Sequence, residues 1–302
     1  MALRGIKLVE FAGLAPSPVC SMFLADHGAQ VVRIDRTQKN LFSDLDVSAR
    51  GKRSISLDLK WPIALKIARQ LCDQADVLIE PFRPGVMERL GLGPDELLSS
   101  NPRLIYARLS GYGNTGPWAQ RAGHDINYLS MTGVLSALGA ADSNPSPPVN
   151  LLADFAGGSL MTAFGIVLAL YARDRPLTKM LASTKSGSPT PTSAEFGKGQ
   201  VVDSPLSEGG AYVSSWLFRS RPLFFWFGAR GRNILDGGAH YYTTYKTRDD
   251  KYMAVGALEP QFYERFLRGL GLTVDEMPQT DIERSYFIFN SAQFVMFLFF
   301  GK

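Results

Sequence analysis

Cysteine is nearly absent from this 302-residue chain: Cys20 and Cys72 are the only two, in no Cys-x-x-Cys pattern. That excludes a disulfide framework and a cysteine zinc site, and it fits a reducing compartment or the interior of an organelle. Histidine is equally scarce, with His27, His124 and His240 alone, which leaves little to hold a metal. No apolar signal core follows the opening Met-Ala-Leu-Arg, because Lys7 and Glu10 interrupt it, so secretion is not expected. The charge excess is small. Lys and Arg number 32 against 28 Asp and Glu, a balance of +4 that suits a polyanionic small ligand and is too thin for a nucleic-acid binder. What the chain has is 45% hydrophobic and 11% aromatic residues, enough for a real core in one large domain or two. A disproportionate share of the aromatics, Tyr286, Phe287, Phe289, Phe294, Phe297, Phe299 and Phe300, falls in residues 285–300. That uncharged stretch is shorter than the roughly 20 residues of a membrane helix, so no membrane span is expected there.

Apolar periodicity predicts a strand at 6–11, a helix from Pro16 that stops at Gly28, and strands at 31–35, 54–59, 76–80 and 104–109, with a helix over 64–72. This alternation reads as an α/β fold: a doubly wound, mostly parallel sheet in a Rossmann-like large domain, with a second, smaller domain. Residues 122–172 carry Asp125, Asp142 and Asp154 as their only charges and read as two buried helices around a Pro-rich loop at 144–148. Residues 176–196, rich in Ser, Thr, Pro and Lys, read as a flexible surface insertion. A helix over 205–218, a hairpin over 240–256 turning at 248–250, and a helix over 260–270 follow.

Three constellations could carry chemistry. The turn at Gly13 with Asp35 invites a dinucleotide reading, but Gly-x-Gly-x-x-Gly is absent, and an ordinary βα turn explains it as well. Arg33, Arg36, Lys39, Arg50, Lys52, Arg53 and Lys60 form a basic cluster near predicted strand ends, either a phosphate clamp or a solvated face. His124 and Asp154 sit among small apolar neighbours, where burial would displace their pKa values toward neutrality, as a general acid and base require. Asp154 could also be a nucleophile, with Gly157 and Gly158 letting a ligand approach the backbone; a core histidine and a helix-capping aspartate are the bland alternatives.

Gly123-His124-Asp125-Ile126-Asn127-Tyr128, Asn150-Leu151-Leu152-Ala153-Asp154-Phe155-Ala156-Gly157-Gly158, the opening stretch 5–35 and Gly256-Ala257-Leu258-Glu259-Pro260-Gln261-Phe262-Tyr263 together resemble the alpha-methylacyl-CoA racemases of the family III CoA-transferase superfamily. The resemblance implies an isomerase acting on 2-methyl-branched acyl-CoA thioesters of fatty acid and bile acid metabolism. It calls for no metal and no cofactor, CoA being part of the substrate. It makes His124 and Asp154 the two acid/base residues on opposite faces of the α-carbon, with backbone N–H groups near Asp154 steadying the enolate. Glu259 would join the site's hydrogen-bond network from the partner subunit of an interlaced homodimer. Arg36, Leu57, Asp58, Leu59, Lys60 and Gly123, His124, Asp125, Ile126, Asn127 and Tyr128 would contact CoA. Peroxisome and mitochondrion are the implied locations, although the chain ends Phe300-Gly301-Lys302 rather than in a Ser-Lys-Leu-type address. A CoA-transferase with Asp154 as nucleophile and a catalytically silent CoA-binding chain are the alternatives.

The pattern runs from residue 1 to about 174, resumes near 197 and ends at about 278. The expected organisation is therefore a large domain at 1–200 with an insertion at 176–196, a partial small domain at 201–278, and a divergent hydrophobic tail at 279–302.

Overall fold

The computed structural model describes residues 1–38, 46–175, 197–247 and 249–281. Lys39, the insertion at 176–196, Arg248 of the hairpin turn and the aromatic stretch at 285–300 lie outside the described residues. The chain divides into two units, residues 1–132 with 149–213, and residues 133–148 with 214–302.

The first unit holds β1 (Lys7–Phe11), α1 (Pro16–Asp26), β2 (Gln30–Asp35), β3 (Lys52–Ser56), α2 (Pro62–Asp73), β4 (Val77–Glu80), α3 (Val86–Arg89), α4 (Pro94–Ser100), β5 (Ile105–Ser110) and α5 (Asp125–Thr132). A wide-turned π-helix (Leu151–Leu160) then runs directly into α6 (Met161–Asp174), followed by β6 (Gln200–Pro205) and α7 (Leu206–Val213). The six strands form one sheet in the order β3-β2-β1-β4-β5-β6, every neighbouring pair parallel. Chain order reverses between β1 and β4, the position at which a doubly wound sheet opens a crevice beyond its strand ends. β5 is buried along its whole length and β4 likewise, as strands covered on both faces must be. One face packs Ala64, Ala68 and Cys72 of α2, Met87 of α3 and Leu97 of α4 against Val9, Phe11, Leu78 and Tyr106. α1, the π-helix and α6 pack together on the other.

The expected architecture is the observed one, with local corrections. The third strand lies at 52–56 rather than 54–59, because β2 ends at Asp35, which pairs with Ser56; the Leu57 N–H still donates to the Asp35 carbonyl at 2.9 Å, and the ladder stops there. β6 went unread: it is an exposed edge strand closed by Pro205, and Pro is tolerated there because an edge needs no donor. The helix expected over 205–218 is two, broken at Ser214. The helices expected to be buried in 122–172 are not wholly so. Leu160 at the end of the π-helix and Phe164, Val167, Leu168 and Tyr171 of α6 form an exposed apolar stripe, four of the five at least half uncovered. By length and composition alone the 24-residue helix Leu151–Asp174 could cross a membrane. Its other side, however, buries Asp154, Ser159, Thr162 and Arg173 within the unit.

The second unit contains α8 (Ser215–Arg219), a hairpin of β7 (Tyr242–Lys246) and β8 (Tyr252–Gly256), and α9 (Pro260–Gly269). Its core gathers Ile234, Tyr241, Tyr263, Leu267 and Met277. His240 is buried beside it, its Nε2 2.8 Å from Tyr263 Oη, and Tyr263 in turn donates to the Met277 carbonyl. The boundary differs from the expected one at 200, because β6 pairs with β5 and α7 packs on the π-helix, while residues 133–148 join the second unit.

Candidate active site

The turn before α5 is built on a close approach. A Cβ at Gly123 would lie 2.7 Å from Tyr112 Oη and 2.8 Å from the Tyr128 ring, two rings that meet edge-to-face at 4.9 Å. Only glycine lets the chain pass, and Tyr128 Oη then donates to the Gly123 carbonyl at 2.5 Å. His124 follows with its backbone pinned: its N–H donates to Asn127 Oδ1 at 3.1 Å, and its carbonyl accepts from the amides of Asn127 and Tyr128. The imidazole itself is exposed, so His124 is not a core histidine.

Asp154 is not a cap either. It lies inside the π-helix, 6% exposed, and the residue before that helix is Asn150, held at a positive φ of 63°. That left-handed conformation, which Asn tolerates better than most residues, turns its side chain back so that Nδ2 donates to Asp154 Oδ2 at 2.9 Å. Asp125, 3% exposed, fixes the same turn from α5: its Oδ2 accepts the amides of Ala153 at 2.8 Å and Asp154 at 2.9 Å. Burial pushes the Asp154 carboxyl up; the hydrogen bond from Asn150 opposes this, the like charge of Asp125 adds to it, and His124 draws it down. His124 and Asp154, 30 residues apart, are thus within electrostatic reach of each other, one wet and one buried.

Two expectations change here. The Asp125 carboxylate is a structural brace, turned into the protein to hold two backbone amides. The Ala153 and Asp154 amides are engaged by it, so these two are not free to steady an enolate. Gly157 and Gly158 serve packing: a Cβ on Gly157 would lie 2.4 Å from the Gly210 amide nitrogen, and one on Gly158 3.0 Å from Leu206. The small residues admit α7, not a ligand.

A cleft of about 610 Å³ opens beyond the ends of β1 to β4, where the switch point places ligands. Arg36, Leu57, Asp58, Leu59 and Lys60, expected to share one ligand, all line it. Three other cations of the basic cluster are paired elsewhere. Arg33 pairs with Asp35 and Asp46, Arg50 with Asp26, and Lys52 is buried against Glu10 at 2.9 Å. Arg53 is exposed and does not line the cleft. The cleft's further cation, Arg83, was missed, because it follows a strand end as one arginine among Pro and Phe with no cluster to mark it. It sits in the wall with Pro81 and Phe82, and Phe82 meets Phe11 edge-on. The Tyr128 hydroxyl, pushed up to about 12 by burial and by Asp154, is drawn down by Arg83, so the wall of the cleft and the Asp154 site act on one side chain.

Of the other expected contacts, Gly123, His124, Ile126, Asn127 and Tyr128 lie on the α5 turn beside Asp154 and do not line this cleft. Glu259, exposed, is in the second unit at the N-terminus of α9, where its carbonyl accepts the amides of Phe262 and Tyr263.

A profile of the CoA-transferase family III matches residues 3–180 and 192–286. The chain is 53% identical over 281 residues to an alpha-methylacyl-CoA racemase of Mus musculus, covering 92% of this chain and 67% of that protein. It is 53% identical over 278 residues to the Homo sapiens protein of the same name, with the same coverage. A CaiB/baiF CoA-transferase family protein of Caenorhabditis elegans is 43% identical, covering 89% of this chain and 73% of its own length. Among solved structures, a CAIB/BAIF family protein from Brucella suis superimposes with a TM-score of 0.77 at 24% identity, covering 97% of this chain and 78% of that one; it shares the fold.

Proposed function

The chain belongs to CoA-transferase family III, and from that premise we propose that it racemises 2-methyl-branched acyl-CoA thioesters. The observation that carries the reading is the pairing of a buried, upward-shifted Asp154 with an exposed His124 on the adjoining turn. An α-proton of a thioester is too weakly acidic to leave unaided. Two groups of matched basicity on either side of the α-carbon allow one to remove the proton and the other to return it to the opposite face. Burial supplies that match for Asp154, and His124 supplies an imidazole, the usual side chain for proton transfer. CoA enters as part of the substrate, its phosphates set against Arg36 and Lys60, and the reaction needs no metal or separate cofactor. Branched fatty acid and bile acid intermediates are the acyl groups the reading implies, and peroxisome and mitochondrion the setting.

The working form we propose is a homodimer. The exposed α6 stripe of Leu160, Phe164, Val167, Leu168 and Tyr171 recurs at i, i+4, i+7, i+8 and i+11, a single apolar face of the kind that marks a protein contact. Glu259 would then reach the site from the partner.

The test is incubation of one epimer in deuterated water. The racemase reading expects the α-hydrogen to exchange and the other epimer to appear, and His124→Ala to abolish exchange from one epimer more than from the other. Retention of the α-proton, with transfer of the CoA to an acceptor acid and a hydroxylamine-trapped Asp154, would establish the transferase instead.

A further inference from the structure

Behind the cleft wall lies a polar cluster that the racemase reading does not use. Glu80, the last residue of β4, is fully buried and pairs in register with Arg108 of β5. Its Oε2 accepts the Phe82 amide at 2.8 Å, and its Oε1 accepts Arg108 Nε at 2.8 Å. Arg108 Nη1 reaches on to Glu88 of α3 at 2.8 Å, and its guanidinium lies over the Tyr106 ring, 6.0 Å from the centroid. Tyr106 Oη donates to the Leu92 carbonyl at 3.0 Å. The segment 81–92 is therefore tied to the sheet at its start, middle and end. Phe82, Arg83, Val86 and Leu90 of that segment line the cleft. Each of these polar ties runs through Glu80, Arg108 or Tyr106, beside the apolar contact of Phe82 with Phe11.

We propose that Glu80 is a positioning residue for CoA binding: ionised, it holds the Phe82 amide and the Arg108 guanidinium, and so sets the wall that presents Phe82 and Arg83 to the ligand. The inference rests on the CoA reading of the cleft. Glu80 Oε2 holds the Phe82 amide at the start of that wall, so losing its charge weakens the tie there. A neutral carboxyl loses one of its two acceptor oxygens to the proton, and a hydrogen bond to a charged group is the stronger kind. The charged and titratable groups that act on this cluster are Arg108 and Tyr106 of β5, Glu88 of α3 and, against Tyr106, the buried Cys72 of α2. Burial pushes the Glu80 carboxyl up to about 7, Arg108 draws it down and Glu88 raises it. The wall thus loosens as pH falls through neutrality.

The experiment is calorimetric titration of free CoA into the full chain and into Glu80→Gln across pH 6 to 8.5. Dividing the two dissociation constants at each pH cancels the titration of the ligand's own phosphates. The expected ratio is about tenfold at pH 8, the scale of one lost charge-assisted bond, and it falls toward one at pH 6. The KM for an acyl-CoA rises with it while kcat stays within about twofold. Glu88→Gln, on a half-open helix, keeps the fold testable if Glu80→Gln does not accumulate. It removes the like charge that raises Glu80, so the midpoint of wild-type CoA affinity moves to lower pH. A ratio that is flat with pH, or a midpoint unmoved by Glu88→Gln, overturns the proposal while the CoA reading stands. A wild-type chain that binds no CoA overturns both.

Discussion

Asp125 accepts the backbone N–H of Asp154 at 2.9 Å from 29 residues earlier in the chain. A residue of the histidine-bearing turn therefore sets the position of Asp154, the second acid/base residue of the proposed reaction, and the two turns are one mechanical piece. The same carboxylate supplies a like charge that helps to keep Asp154 basic.

Asp125→Asn separates these roles. Its amide oxygen can still accept both N–H groups, so stability should fall by about 1 kcal/mol or less, whereas Asp125→Ala strands two buried donors and should cost about 2 to 3 kcal/mol. With the like charge gone, the Asp154 carboxyl moves down. The acid limb of the pH profile, for the epimer from which Asp154 takes the proton, should shift to lower pH. An unshifted limb in a folded Asp125→Asn protein would show that Asp125 acts through geometry alone.

Asn150→Gly should do the reverse. Glycine adopts the positive φ of position 150 freely, so stability should change by no more than about 1 kcal/mol. The hydrogen bond that draws Asp154 down is lost, and the acid limb should move to higher pH. The check is the pH dependence of deuterium exchange beside that of the wild type.

Gly157→Ala places a methyl 2.4 Å from the Gly210 amide nitrogen, where only backbone could give way. A loss of about 3 kcal/mol is expected in urea unfolding. Gly158→Ala meets the flexible end of Leu206 at 3.0 Å and should cost about 1 kcal/mol. Equal and negligible costs would return these glycines to a ligand-facing role.

His240 carries a pH dependence of stability in the second unit. Burial lowers its pKa to about 4 from the ordinary 6.5, so the unfolded chain takes up a proton that the folded unit refuses. Stability is then full above about pH 6.5 and falls as pH drops toward 4, by on the order of 3 kcal/mol. Unfolding midpoints measured from pH 7 to 4.5 should show this fall, and His240→Phe should flatten it after a cost of about 1 kcal/mol for the bond to Tyr263.

Much of this was legible beforehand because it is local. The periods at 7–11, 16–26, 30–35 and 77–80 are those of the elements found there, and Arg36 and 57–60 reach the cleft because strand ends of a doubly wound sheet must. β6 was not legible, since a short polar edge strand has little apolar alternation to show.

The sequence by itself determined the kinds of residue available and their spacing along the chain: the strand and helix periods, the glycines, and the His124 and Asp154 motifs. Only the tertiary structure decided what each faces. Arg33, Arg50 and Lys52 look like Arg36 and Lys60 in the chain, and only the packing of strands, helix and loop sets them against Asp46, Asp26 and Glu10. Asp125 reads as a ligand contact until the π-helix brings two amides to it. Charge pairing and burial depend on distances between segments far apart in sequence, and those distances exist only once the sheet has formed.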